Sequence, residues 1–303
     1  MCWLRLLNSY NLEYLQPTND ALMKNFILII LFSLFTSKGA WSQSKQYEVY
    51  ALKFASSAHL WPIADWVDKG PKNDSVQIDF MLWLIKGNGK TILVDAGFLN
   101  DIPDAKEFTI VNYVRPDSTL QKLSLKPTDV TDIVLSHPHW DHIDGLDLFP
   151  NAQVWMQQDD FYYYVGAAWQ RGGNSGGFNK RDVRKLIDKN LAGKLTLVNG
   201  DNQEIIPGIK VFTGSRHTFN SQYVLVETGT NKVILASDNI WVYYSLEHMQ
   251  PAAEGGTYDP AGYVKAMQRM KTLVTNPRFI VPGHDGKIFS NFPVVKEGVV
   301  KIN

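Results

Sequence analysis

Ser136-His137-Pro138-His139-Trp140-Asp141-His142 sets four metal-liganding side chains within six positions, with proline and tryptophan as the only spacers. Imidazole and carboxylate donors together suit a borderline divalent metal such as zinc. Four donors this close rarely converge on one ion, so the run predicts two. Residues 131–135, just upstream, form a short apolar stretch with the composition of a buried strand. A strand there delivers the cluster to the loop at its C-terminal end, where α/β folds place their sites.

Working outward, three more ligand-type residues stand at the ends of predicted strands. His217 follows a strand at 210–213, Asp238 follows the apolar run 232–236, and His284 follows 279–281 within Pro282-Gly283-His284-Asp285. Five of the seven histidines then belong to one site, while His59 and His248 fit no ligand slot. Asp95, in Val94-Asp95-Ala96-Gly97, reads as a supporting carboxylate rather than a ligand. Alternating or apolar runs predict further strands at 47–54, 76–85, 91–94, 153–156 and 222–227, with a turn at 87–89. Helical spacing is found at 159–167, 181–191 and 261–274. The order predicts a mixed α/β fold with helices outside paired sheets. The glycine-rich stretch 172–177 is not followed by Gly-Lys-Ser/Thr, so it is no phosphate cradle. A solvated loop is its default reading and an active-site lid the sharper one.

Lys plus Arg and Asp plus Glu balance at 30 each, which argues against nucleic acid as a partner. Met23-Lys24-Asn25, the apolar run 26–35 and Ala40-Trp41-Ser42 have the three parts of a secretory signal peptide. Residues 1–22 have no targeting logic of their own and read as a mis-called start. The expectation is a leader at 1–42, an uncleaved anchor being the alternative, and a single large domain at 43–303. That domain would be periplasmic or secreted and free of the membrane once the signal is removed. Cys2, the single cysteine, leaves with the leader, so packing and metal must hold the mature protein together.

The series His137-x-His139-x-Asp141-His142, His217, Asp238, His284 resembles the metallo-β-lactamase superfamily. The resemblance implies the αββα four-layer sandwich: two mixed sheets with helices outside and two zinc ions at one edge. By that pattern His137, His139 and His217 bind one ion, Asp141, His142 and His284 the other, and Asp238 bridges both. It also implies a bridging hydroxide as nucleophile, with Asp141 orienting it and then protonating the leaving oxygen. Val94-Asp95-Ala96-Gly97, the His137 cluster and Pro282-Gly283-His284-Asp285 are most similar to the N-acyl-homoserine lactonase-like branch. The implied substrate is a small acylated lactone or ester, and a homodimer is compatible with this reading. Asp238 argues against a true β-lactamase, which generally has cysteine or serine there. A same-fold phosphodiesterase or β-lactamase, and a non-catalytic periplasmic metal-binding protein, are the rivals.

Two positions depart from the branch. Ile143-Asp144-Gly145 stands where many members have a double glycine. Trp241 stands where well-studied lactonases have a substrate-contacting tyrosine, and Tyr243 and Tyr244 are candidates to replace it. Trp140 and Trp241, within a crowd of aromatics that includes Trp155, Tyr162, Tyr163, Tyr164 and Trp169, are candidate walls of an acyl pocket.

Overall fold

In the two longest strands, successive side chains point to opposite faces, and both faces are apolar. In Glu48–Pro62 (β1), Val49 and Ala51 enter one buried cluster, while Tyr50, Leu52 and Phe54 enter another. Ser75–Gly87 (β2) divides the same way, with Met81, Trp83 and Ile85 on the first face and Ile78, Phe80, Leu82 and Leu84 on the second. A sheet whose strands are apolar on both faces must be covered on both faces. The computed structural model, which describes residues 47–303, shows what covers it.

The other strands are Lys90–Val94 (β3), Ile110–Val111 (β4), Asp132–Val134 (β5), Gln153–Gln157 (β6), Leu195–Val198 (β7), Gln203–Ile206 (β8) and Ile209–Thr213 (β9). Gln222–Glu227 (β10), Lys232–Ser237 (β11), Ile280–Pro282 (β12), Val294–Lys296 (β13) and Val299–Lys301 (β14) follow. One sheet runs β13-β14-β1-β2-β3-β5-β6-β7, with β4 on β1, and is parallel from β3 to β7. The second runs β12-β11-β10-β9-β8 and is antiparallel except for β11–β12. Val224, Val226, Val233 and Leu235 of the second sheet meet Val49, Trp83 and Ile92 of the first in one cluster between the sheets. Their alternates Tyr223, Leu225, Ile234 and Ala236 pack outward on Tyr263, Ala266, Met267 and Met270 of the helix Pro260–Leu273. The outer face of the first sheet is covered by Phe161 and Tyr164 of Gln158–Val165 and Leu186 of Lys180–Leu191. Three apolar interfaces thus separate four layers, the expected αββα sandwich.

Several elements differ from expectation. β1 continues eight residues past the predicted end through two register shifts, and this extension carries Trp61 toward the site. β7, β8, β13 and β14 are only three or four residues long, and all but β14 are mostly half-buried or exposed, so they have little pattern to read. Tyr243–His248 is a short helix in a stretch where the sequence predicts no element. The proposed leader lies outside the described residues. Among the described residues no helix is long and apolar enough to cross a membrane.

Candidate metal centre

Each sheet contributes ligand residues from the ends of its strands. His137 follows β5, with His139 capping and Asp141 and His142 within the helical turn Trp140–Ile143. His217 lies in the loop after β9, Asp238 directly follows β11, and His284 follows β12. The seven side chains form two groups, His137, His139, His217 and Asp238 in one, Asp141, His142 and His284 in the other. Within each, one nitrogen or oxygen per residue lies within 4.8 Å of the others.

Asp238 joins the groups through its two oxygens. Oδ2 lies 3.3 Å from His217 Nε2 and 3.7 Å from His137 Nε2. Oδ1 lies 3.3 Å from His142 Nε2 and 3.0 Å from His284 Nε2. Asp141 Oδ2 completes the second group, 3.1 Å from His142 Nε2 and 3.4 Å from His284 Nε2. Tetrahedral zinc with donors at about 2.0–2.1 Å separates those donors by about 3.3 Å. The spacing therefore fits ligands around ions. So do the buried His137 Nε2, His142 Nε2 and Asp238 Oδ1, none of which has a hydrogen-bond partner among the described residues.

The outer nitrogens are held in turn. His137 Nδ1 lies 2.8 Å from Ser136 Oγ, His142 Nδ1 2.8 Å from Asp95 Oδ2, His217 Nδ1 2.8 Å from the Gly256 carbonyl, and His284 Nδ1 3.2 Å from the Asp79 carbonyl. These bonds leave Nε2 as the inward nitrogen in all four. His139 is the exception and turns Nδ1 inward, 2.9 Å from His217 Nε2. Asp95 also accepts from the Ser136 amide and both the Ser136 and Ser237 hydroxyls, which makes it the supporting carboxylate expected from sequence.

Burial holds His137 well below the ordinary histidine range and His139 down at about 3, so both present neutral imidazole. Burial opposes ionisation of Asp238 as well, but the surrounding His284 and His142 outweigh it and hold the carboxyl well below its usual range.

The centre opens into a cavity of about 530 Å³ lined by His139, Asp141, His217, Asp238 and His284. Trp140 and Trp241 line it, as anticipated. Tyr243 and Tyr244 do not. Tyr243 opens a helix, its amide donates to Asp285 Oδ2, and its ring is buried between the sheets. Tyr244 instead stacks on His248, with ring centroids 3.8 Å apart. Trp155, Tyr162, Tyr163, Tyr164 and Trp169 also lie off the cavity wall. The rings that sequence reading missed are Trp61, Trp66, Phe80, Phe108, Phe178 and Tyr258; apart from Phe80, which belongs to β2, their only signal is an aromatic in a loop or irregular strand. The glycine-rich stretch forms a wall: Asn174, Gly176 and Gly177 line the cavity, and the Gly177 carbonyl accepts from the Trp140 amide at 2.9 Å.

Both departures have local explanations. Asp144 is buried and anchors the helix Lys180–Leu191 through Arg181 and Lys185, while accepting from the Leu99 amide. The indole of Trp241 donates to Asp238 Oδ2 at 2.9 Å, a bond within the ligand set.

A model of the metallo-beta-lactamase superfamily matches residues 82–284, a span that begins in β2 and ends on the last ligand. The chain belongs to this superfamily. Among its curated members, the N-acyl homoserine lactonase AttM of Rhizobium radiobacter is 28% identical over 59% of this chain and 66% of its own length. The N-acyl homoserine lactonase of Bacillus cereus is 25% identical over 55% of this chain and 60% of its own. The chain thus spans just under two thirds of these relatives. A solved N-acyl homoserine lactone hydrolase with N-hexanoyl-L-homoserine at its catalytic metal centre superposes with a TM-score of 0.64 at 19% identity, covering 84% of this chain and 98% of that one.

Proposed function

We propose that this chain is a hydrolase with a dinuclear metal site that opens lactones or cleaves carboxylic esters, N-acyl homoserine lactones being the first substrates to try. The observation that carries the reading is the division of Asp238: one oxygen faces each group of ligands. A structural zinc site closes with four ligands and needs no shared carboxylate. His137, His139 and His217 with Oδ2 would hold one ion, and Asp141, His142 and His284 with Oδ1 the other. Two zinc ions, when bound, polarise a carbonyl and lower the pKa of water.

The chain's own residues do the rest. Asp141 reaches its group through Oδ2, and its Oδ1 takes part in no hydrogen bond or ion pair among the described residues. That free oxygen, on a residue lining the cavity, is placed to hold a proton and pass it to a leaving alkoxide. Trp140, Trp66 and Phe108 supply apolar wall for an acyl group and keep water from its flank. The lactonase relatives support this substrate class. We propose further that the enzyme acts outside the cytoplasm, on the strength of the apolar run at 26–35 and the small residues before Gln43.

Metal analysis of purified protein should give two ions per chain. A panel of acyl homoserine lactones, p-nitrophenyl esters, a phosphodiester and a chromogenic cephalosporin identifies the bond broken. Turnover of the phosphodiester or cephalosporin alone refutes the substrate class, and two bound ions with no turnover favour the non-catalytic rival. N-terminal sequencing of cell-fractionated protein should begin at Gln43.

A further inference from the structure

We propose that Trp241 is a positioning residue, its indole N–H committed to the shared carboxylate, and that it makes no hydrogen bond to substrate. The inference rests on the reading of Asp238 as the carboxylate common to both metal groups.

An indole has one donor and no acceptor. Here that donor is spent on Asp238 Oδ2 at 2.9 Å. The same residue touches two more members of the ligand set. Its backbone carbonyl accepts from the His284 amide at 2.9 Å, and its ring stands edge-on to His217, with centroids 5.4 Å apart at 77°. Three ligand residues from three loops therefore meet on one side chain and its backbone.

The ring is itself fixed. A Cβ on Gly256 would overlap it, so glycine is what allows the ring to lie where it does. The carbonyl of that glycine accepts from His217 Nδ1. Trp66 packs edge-on at 5.3 Å, and the Trp241 amide donates to the Tyr263 hydroxyl at 3.2 Å.

The physical need is specific to a shared carboxylate. The terminal torsion of aspartate is broad and two-fold, so nothing intrinsic stops the plane from rotating. Rotation would take both oxygens away from their separate groups. Oδ1 has no hydrogen bond among the described residues, so the indole N–H on Oδ2 is the hydrogen bond that sets the plane. A tyrosine at this position could reach substrate with its hydroxyl; the tryptophan turns the same position to holding the ligand set.

The test is Trp241→Phe, which retains an aromatic ring and removes the donor. Apo protein is titrated with zinc against a chromogenic chelator, and p-nitrophenyl ester kinetics are run on the zinc-loaded enzyme. Loss of an outer hydrogen-bond partner costs about 10- to 100-fold in metal affinity. We expect that loss at one of the two ions, a fall in kcat, and a KM within about twofold of the parent. In an Asp238→Asn background the same substitution should add little, because the two act through one bond. Unchanged zinc affinity with a raised KM would show that the indole serves the substrate and overturn the proposal. So would unchanged affinity with unchanged kinetics. If the parent binds two zinc ions and hydrolyses nothing in the panel, the hydrolase reading fails, and zinc affinity in the variant still decides this inference.

Discussion

Replacing Asp95 with asparagine exchanges one carboxylate oxygen for an NH2 and should cost the centre one of its ions. Four donors converge on Asp95: the Ser136 amide on Oδ1, and the Ser136 hydroxyl, the Ser237 hydroxyl and His142 Nδ1 on Oδ2. The hydroxyls can rotate to suit a new partner, but the two N–H groups cannot. The asparagine side chain would keep an oxygen for the Ser136 amide and turn its NH2 toward His142 Nδ1. That nitrogen must then accept, which moves the imidazole proton to Nε2, the nitrogen facing Asp141 and Asp238. A protonated Nε2 cannot bind metal. The lost charge-assisted hydrogen bond alone is worth about 1.5–3 kcal/mol, which at about 1.4 kcal/mol per tenfold is about 10- to 100-fold in affinity. The change of tautomer adds to this. Zinc titration of the Asp95→Asn protein should show one tight equivalent where the parent shows two, with hydrolysis reduced at least as far. Two equivalents bound at parental affinity would refute the argument that Asp95 sets the tautomer of His142.

Other consequences follow from single contacts. A Cβ at Gly283 would sit 2.5 Å from Asp238 Oδ1, so Gly283→Ala should depress metal stoichiometry and turnover in a protein whose circular dichroism is unchanged. Asp182 is pushed up to about 7 by burial and by the neighbouring Asp144. Its raised pKa means the native state holds a proton that the unfolded chain gives up near pH 4. This group's contribution to stability is therefore full below about pH 4 and is lost as pH rises to about 7. Asp182→Asn removes that ionisation and should raise Tm at pH 8 while leaving it little changed at pH 4, as thermal melts would report. Asp65 and Glu107 line the cavity, and neither has an ion-pair partner among the described residues. Among the described residues no lysine or arginine lines it. An ester whose acyl chain ends in carboxylate should show a higher KM than its neutral isostere, with a gap that narrows as salt is added.

Why the ligand set is legible in the sequence while the cavity is not comes down to where each is written in the chain. His137, His217, Asp238 and His284 each follow a strand, and strand ends are marked by the close of an apolar run. Their residue types also belong to metal chemistry, so spacing and type together identify them. Much of the cavity wall has neither signal. Trp61 and Trp66 arrive through the irregular end of β1 and the turn after it, and Phe108 through a 3-10 turn at Pro103–Phe108. Such segments have no period to mark a buried face. Tyr243 and Tyr244 mislead for the converse reason. Proximity in sequence to Asp238 suggests a shared site, but the helix they open turns Tyr243 between the sheets and Tyr244 onto His248. Trp241 lines the cavity as expected, but sequence does not say which acceptor an indole will find, and here that acceptor is Asp238 Oδ2.

The backbone around the ligands suggests what the metal does for the fold. Asp95, Arg216 and Ser237 all have positive φ, at 65°, 50° and 47°. Each is within the supporting shell or next to a ligand, and non-glycine residues in this region store strain of about 1–3 kcal/mol each. Two carboxylates, Asp238 buried and Asp141 half-buried, and five imidazoles are gathered at the same place, with three inward atoms lacking hydrogen bonds among the described residues. Strain and unpaired polar atoms both weigh against the metal-free fold, and bound ions supply the missing partners. An ion present at about 1,000 times its dissociation constant stabilises by about 4 kcal/mol, and a domain of this size gains about 2–4 °C in Tm per kcal/mol. Chelation should therefore lower Tm by about 8–16 °C for each ion removed, in two steps if the sites differ in affinity. Calorimetry with graded chelator followed by zinc add-back measures this directly. A melt unmoved by chelation, in protein shown by metal analysis to have lost both ions, would mean that packing alone holds Asp238 between its two groups.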